Sequence, residues 1–154
     1  MLLIEAWFDG VCEPTNPGGH AAYGALMRRN RKVFWQVARH VGHGPKISNN
    51  VAEYAAVLAI LYRLEESQEV REIVIRGDSK LVINQLGGRW RARRGLYLPF
   101  YRRAKALTKT IQKSCGGNLK FEWVSRDQNG ECDQLSKQVL RDMGIEFRLQ
   151  PEGE

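Results

Sequence analysis

Four acidic residues, Asp9, Glu53, Asp78 and Asp133, stand where the local pattern of the chain changes. Asp9 and Asp78 each follow a short apolar, strand-forming run, which puts them at strand ends, while Glu53 and Asp133 fall in the first turns of segments with helical spacing. Strand ends and helix N-termini can meet at one edge of a sheet. Four carboxylates gathered there would repel one another unless a divalent cation compensated, and an all-oxygen ligand set suits Mg²⁺ or Mn²⁺. Each acid except Asp9 also has an ordinary structural reason to be where it is. Glu53 follows Asn50 by three residues, the spacing of a capping box. Asp133 would suit the positive end of a helix macrodipole, and Asp78 could cap a helix starting at Ser79. Asp9 ends the most apolar strand and has no helix beside it in sequence.

The elements that must position these acids follow from periodicity. Leu2 to Phe8 reads as a buried strand reaching Asp9-Gly10, followed by a loop through Pro14-Thr15-Asn16-Pro17-Gly18-Gly19. His20 to Arg28 and Lys32 to Arg39 suggest a hairpin around Arg29-Asn30-Arg31, and Gly42 to Pro45 punctuate its end. Val51, Tyr54, Leu58, Leu61 and Tyr62 recur at helical spacing behind the cap Ser48-Asn49-Asn50, predicting a helix to Leu64. Ile73-Val74-Ile75 form a strand and Ser79 to Leu86 a short helix that stops at Gly87-Gly88. A basic helix from about Tyr97 to Lys113, a strand from Leu119 to Val124, a polar loop and a helix from Gly130 to Met143 complete the order βββαβααβα.

Charge adds a partner class. The 154-residue chain carries 24 Lys and Arg against 17 Asp and Glu, a net charge of +7, and the excess is not spread evenly. No acid occurs between Asp78 and Glu122, a stretch that holds Arg89, Arg91, Arg93, Arg94, Arg102, Arg103, Lys105, Lys109, Lys113 and Lys120. Solvated faces normally mix signs, so this block points to a polyanion. Trp90 among the arginines could stack on a sugar or base. A chain of this size buries roughly 70% of its unfolded surface and needs no covalent staples. Cys12, Cys115 and Cys132 are an odd number without a CxxC pair, which argues against a disulfide framework or zinc site and suits a cytoplasmic protein. The apolar runs are too short for a membrane span or signal peptide. No obligate protein partner is evident, and a monomer is expected. His20, His40 and His43 receive no role.

The segments Phe8-Asp9-Gly10 with Asn16-Pro17-Gly18-Gly19, Ser48 to Tyr54, Asp78 to Val82, and Asn129 to Leu135 together resemble the four motifs of type 1 ribonuclease H, in family order and spacing, over nearly the whole chain. The resemblance implies an α/β ribonuclease H-like fold, with a five-stranded mixed sheet whose first three strands are antiparallel and helices on both faces, in a single domain over 1–150 with a short tail over 151–154. It implies endonucleolytic hydrolysis of the RNA strand of RNA/DNA hybrids with two Mg²⁺ or Mn²⁺ ions, leaving 5′-phosphate and 3′-hydroxyl ends. By the same resemblance Asp9 bridges both ions, Asp133 completes the ion that activates water, and Glu53 and Asp78 hold the ion at the leaving 3′-oxygen. Gly10, Cys12, Asn49, Asn50 and Glu53 then lie along the RNA minor groove, and Asn16 and Ser48 meet a DNA phosphate. Arg89, Trp90, Arg91, Arg93 and Arg94 bind the hybrid further along.

Two departures qualify the resemblance. The passage from Gly87-Gly88-Arg89-Trp90 into the basic helix is too short for the separate basic protrusion of some bacterial relatives. The loop before Asp133 has Ser125-Arg126-Asp127-Gln128 in place of the histidine of many members, which makes Arg126 the candidate to neutralise charge on the departing phosphate; the alternative is a surface arginine paired with Asp127. No accessory hybrid-binding domain precedes Met1, so processive action is not expected. A domain of reverse-transcriptase descent with some double-stranded RNA activity, and a non-catalytic hybrid-binding module, remain the alternative readings.

Overall fold

The computed structural model describes residues 2–67 and 71–148. The expected tail at 151–154 lies outside the described residues. A five-stranded sheet is ordered β3-β2-β1-β4-β5, with β1 Leu2–Glu13, β2 His20–Arg29, β3 Lys32–His43, β4 Arg71–Gly77 and β5 Leu119–Trp123. β1, β2 and β3 pair antiparallel, while β4 joins β1 and β5 joins β4 in parallel. Four helices complete it: α1 Asn49–Glu65, α2 Lys80–Leu86, α3 Leu98–Ser114 and α4 Gly130–Asp142. The expected architecture and element order hold. The β2–β3 turn is tighter than expected, made by Asn30 and Arg31 alone, both at positive φ, as a two-residue type I′ hairpin requires.

Strand alternation decides which helix covers which face. Ile4, Ala6 and Phe8 of β1 enter the main core with Tyr54, Val57, Ile60, Leu61 and Leu64 of α1. Val82, Ile83 and Leu86 of α2 and Ala104 and Ile111 of α3 extend that core. Asp9 is paired with Gly24 across the β1–β2 ladder, so the two share a face, and Gly10 points the other way. A Cβ at Gly10 would meet the Glu53 backbone nitrogen of α1 at 2.6 Å, and one at Gly24 would meet Leu135 of α4 at 2.6 Å. The two helices therefore lie on opposite faces, each drawn against the sheet where a side chain is missing, and each carries one of the candidate acids.

The structure corrects three details. Asp9 is not at a strand end. β1 continues to Glu13 against β2, whereas its parallel pairing with β4 stops at Trp7 and Arg76. That early stop leaves a notch beside Asp9, and Asp78 follows directly on the end of β4. Glu53 is not in the first turn of its helix: Ser48 is the cap, its Oγ accepting from Val51 N at 3.2 Å, so Glu53 falls in the second turn and no capping box involves it. Asp78 does not cap α2, because Ser79 does, accepting from Val82 N at 3.2 Å.

Candidate active site

Asp9, Glu53 and Asp78 each offer a carboxylate oxygen, and the three oxygens lie within 4.8 Å of one another. Asp9 and Glu53 are buried and Asp78 is half-buried. Gly10 N donates to Asp9 Oδ1 at 2.9 Å, fixing that carboxyl, and Asn129 Nδ2 donates to the Phe8 carbonyl at 2.8 Å from the start of α4. Trp123 Nε1 donates to the Asp78 carbonyl at 3.1 Å, tying β5 to the strand end that carries the acid. Asp133 lines the same cavity outside the tight trio and is held by Lys137, one helical turn on, at 2.9 Å.

Burial first, then the charges of Asp78 and Asp133, push the Asp9 carboxyl up to about 7. Burial and then the Asp9 and Asp78 charges push Glu53 well above the usual carboxylate range. The hydrogen bond between the two lowers Asp9 and raises Glu53. Even so, Glu53 Oε2 is buried with no hydrogen-bond partner. A buried, orphaned carboxylate oxygen beside two like-charged groups fits a hard divalent cation, which would satisfy the oxygen and cancel the repulsion.

A sequence-family model described as Reverse transcriptase-like matches residues 8–139, a span that contains all four acids. The chain belongs to this family. Among its solved neighbours are type 1 ribonuclease H structures. The N-terminal RNase H domain of the bifunctional protein Rv2228c of Mycobacterium tuberculosis superposes with a TM-score of 0.78 at 29% identity, covering 94% of this chain and 97% of that one. RNase H1 of Halobacterium salinarum does so with a TM-score of 0.70 at 27% identity, covering 91% and 98%. By sequence the mycobacterial bifunctional protein is 31% identical over 143 residues, 90% of this chain but 35% of its own length. The chain thus spans about a third of the first curated relatives it matches.

In this ribonuclease H-like domain the remaining candidates divide between the cavity and a neighbouring loop. Gly10, Cys12, Asn16 and Asn49 line the cavity of the acids. Asn16 Oδ1 accepts from Asn49 N at 2.9 Å, binding the β1–β2 loop to the start of α1 and leaving the Asn16 amide hydrogens to donate elsewhere. Ser48 and Asn50 flank Asn49 at that helix start. Cys12 is buried, its thiol donating to the Thr15 carbonyl at 3.1 Å, so the backbone is what it presents. Arg126 also lines the cavity, with Nε 3.8 Å from Asp78 Oδ2 and the side chain 85% exposed. Its charge faces Asp78 and not Asp127. The segment expected to be a loose loop is a 3-10 turn, Arg126–Asn129, closed by Gln128 N donating to the Ser125 carbonyl at 3.0 Å.

Arg89, Trp90, Arg91, Arg93 and Arg94 lie in the irregular segment between α2 and α3 and do not line the cavity of the acids, and Trp90 is 49% exposed. Buried Gln85 moors this segment: it accepts from Tyr54 Oη and donates to Tyr97 Oη at 3.0 Å and to the Arg91 carbonyl at 3.4 Å. Sequence reading missed Gln85, Trp123 and Lys137, and gave Asn129 no role beyond opening the fourth motif. Only Lys137 had a local signal, its position four residues after Asp133. It also missed Arg148, which donates to both carboxylate oxygens of buried Glu13, at 2.8 and 3.2 Å, and to the Cys12 carbonyl at 2.8 Å. This clamp folds the segment after α4 back to wall the cavity with Phe147 and Arg148.

Proposed function

We propose that this domain cuts the RNA strand of RNA/DNA hybrids endonucleolytically, with two Mg²⁺ or Mn²⁺ ions held by Asp9, Glu53, Asp78 and Asp133, leaving 5′-phosphate and 3′-hydroxyl ends. The observation that carries this reading is the trio of Asp9, Glu53 and Asp78 with its buried, orphaned Glu53 oxygen. Bound there, the ions would supply charge stabilisation for the attacking and leaving oxygens of the displacement. Asp9, whose carboxyl feels the charges of both Asp78 and Asp133, would be among the residues that hold the ions. Lys137 keeps the Asp133 carboxylate oriented toward the cavity, and the Arg126 guanidinium offers positive charge to a phosphate.

Hybrid selection requires reading a ribose strand and a deoxyribose strand together, since the 2′-hydroxyl is what separates them. The backbone of Gly10 and Cys12 with Asn49, Asn50 and Glu53 forms the rim suited to the RNA minor groove. The Asn16 amide and the Ser48 hydroxyl suit a DNA phosphate, and the exposed Trp90 with Arg89, Arg91, Arg93 and Arg94 suits the strand beyond it. LC11-RNase H1, which shares the fold with a TM-score of 0.77 at 22% identity, was solved in complex with RNA/DNA hybrid. The deciding assay incubates the protein and Mg²⁺ or Mn²⁺ with labelled hybrid, double-stranded RNA and single-stranded RNA. Cleavage confined to the RNA of the hybrid and abolished by EDTA is expected. Cleavage of free RNA at a comparable rate, or activity that survives chelation, would overturn the reading, and hybrid binding without cleavage would make the domain a binding module.

A further inference from the structure

A second cavity, of about 480 Å³, opens between the end of α2, one face of α3 and the edge strand β5. No acid lines it. Arg89, Lys105, Lys109 and Lys120 do, and among the described residues none of the four has a carboxylate partner within ion-pair distance. Lys105 and Lys109 stand one helical turn apart, where like charges repel. Two of the cations are already oriented: Lys105 Nζ donates to the Leu86 carbonyl at 3.2 Å and Arg89 Nε to Asn84 Oδ1 at 2.8 Å. On the α3 wall of the same cavity Thr108 is only 2% exposed, and its Oγ1 has no hydrogen-bond partner. A buried hydroxyl left unsatisfied is costly, and one on the wall of a cavity lined by cations without carboxylate partners is satisfied, once the side chain turns toward the cavity, by an acceptor that also carries negative charge.

We infer that this cavity is a phosphate-binding site, separate from the carboxylate cavity, in which Thr108 donates to a phosphate oxygen and Lys105, Lys109, Lys120 and Arg89 supply the charge. Phosphate is the chemistry that answers both features at once, since its oxygens accept several hydrogen bonds and its charge matches the cations. Carboxylate ligands would satisfy the hydroxyl but offset less charge. The inference does not rest on the proposed nuclease reaction. The phosphate has two candidate sources, a small free phosphate compound or the backbone of a nucleic acid running past Trp90.

Pyrophosphate titrated calorimetrically into the full chain in EDTA separates these outcomes. One saturable site is expected with a Kd below about 1 mM at moderate salt. Thr108→Val, which leaves the charge unchanged, should weaken it at least fivefold. Lys109→Gln with Lys120→Gln, two exposed positions that do not threaten folding, should weaken it at least tenfold. Asp78→Asn should leave it unchanged, which separates this site from the acids. If pyrophosphate competes with an uncleaved RNA/DNA hybrid and the double lysine variant also loses hybrid affinity, the phosphate is the nucleic acid's; if neither occurs, it is a free compound's. Absence of saturable binding, or a folded Thr108→Val protein that binds within twofold of the parent, would overturn the site and leave only a basic surface.

Discussion

At the scale of single residues, the trio of acids is held together against its own repulsion, and that sets the first two expectations. Asp78→Asn removes one ligand oxygen's charge while also relieving Asp9, whose carboxyl the Asp78 charge helps to raise. Activity should fall by at least a hundredfold while hybrid binding in EDTA survives, and the melting temperature of the metal-free variant should equal or exceed that of the parent. A near-parental rate, or a clearly destabilised variant, would remove Asp78 from the proposed metal site. Arg126 is proposed to act by charge. Arg126→Ala should lower kcat by roughly ten- to a thousandfold, on the order of 1.4 to 4 kcal/mol, with Arg126→Lys recovering part of the loss. The pH profile should keep its shape in both variants; a lost pH limb would assign a proton transfer instead. The structure already weighs on this residue, for its guanidinium lies 3.8 Å from Asp78 and its charge is directed there, not to Asp127.

At the scale of elements, what matters is that β1 outruns β4. The pairing of β1 with β4 ends at Trp7 while its pairing with β2 continues past Asp9 to Glu13, and the resulting notch admits Glu53 from one side and Asp78 from the strand end. Sequence periodicity located each strand but not the difference in their ends, because strand length on each flank is set by the neighbour and not by the strand's own residues. The segment between α2 and α3 is the other element proposed to bind the hybrid, an exposed run of arginines moored by a buried glutamine. Replacing Arg91, Arg93 and Arg94 with alanine should raise KM, leave kcat close to the parent value and flatten the dependence of log K on log salt by roughly 0.7 to 0.9 for each phosphate that is no longer neutralised. An unchanged slope measured by hybrid binding across salt concentrations would return the segment to an ordinary solvated surface.

At the scale of the whole molecule, the buried acids make folding depend on pH. The Asp9 carboxyl has its folded pKa raised to about 7 from 3.8, so between those values the native state holds a proton that the unfolded chain has lost. Unfolding free energy should then fall with rising pH by about 1.4 kcal/mol per unit from this group alone, levelling above pH 7, and Glu53 acts in the same direction. Urea denaturation of the metal-free protein at about pH 5 and about pH 8, on either side of that titration, should show the lower stability at the higher pH, with the difference reduced in Asp9→Asn; Mg²⁺ should restore part of it by binding the native state. Equal stability at both values would mean that the acids are not strained. The sequence by itself determined the element order, the identity of the four acids and the basic stretch, because apolar periodicity, turn residues and charge are properties of neighbours along the chain. It did not determine the partners that hold the site. Asn129 meets the Phe8 carbonyl across 121 positions, Arg148 meets Glu13 across 135, and Trp123 meets the Asp78 carbonyl across 45. Nor did it separate Thr108 from any other threonine of a basic helix. Only the packing of α3 against α2 and β5 decided that its hydroxyl is buried and unpaired among cations, since burial is a property of what lies opposite a residue and not of what precedes it.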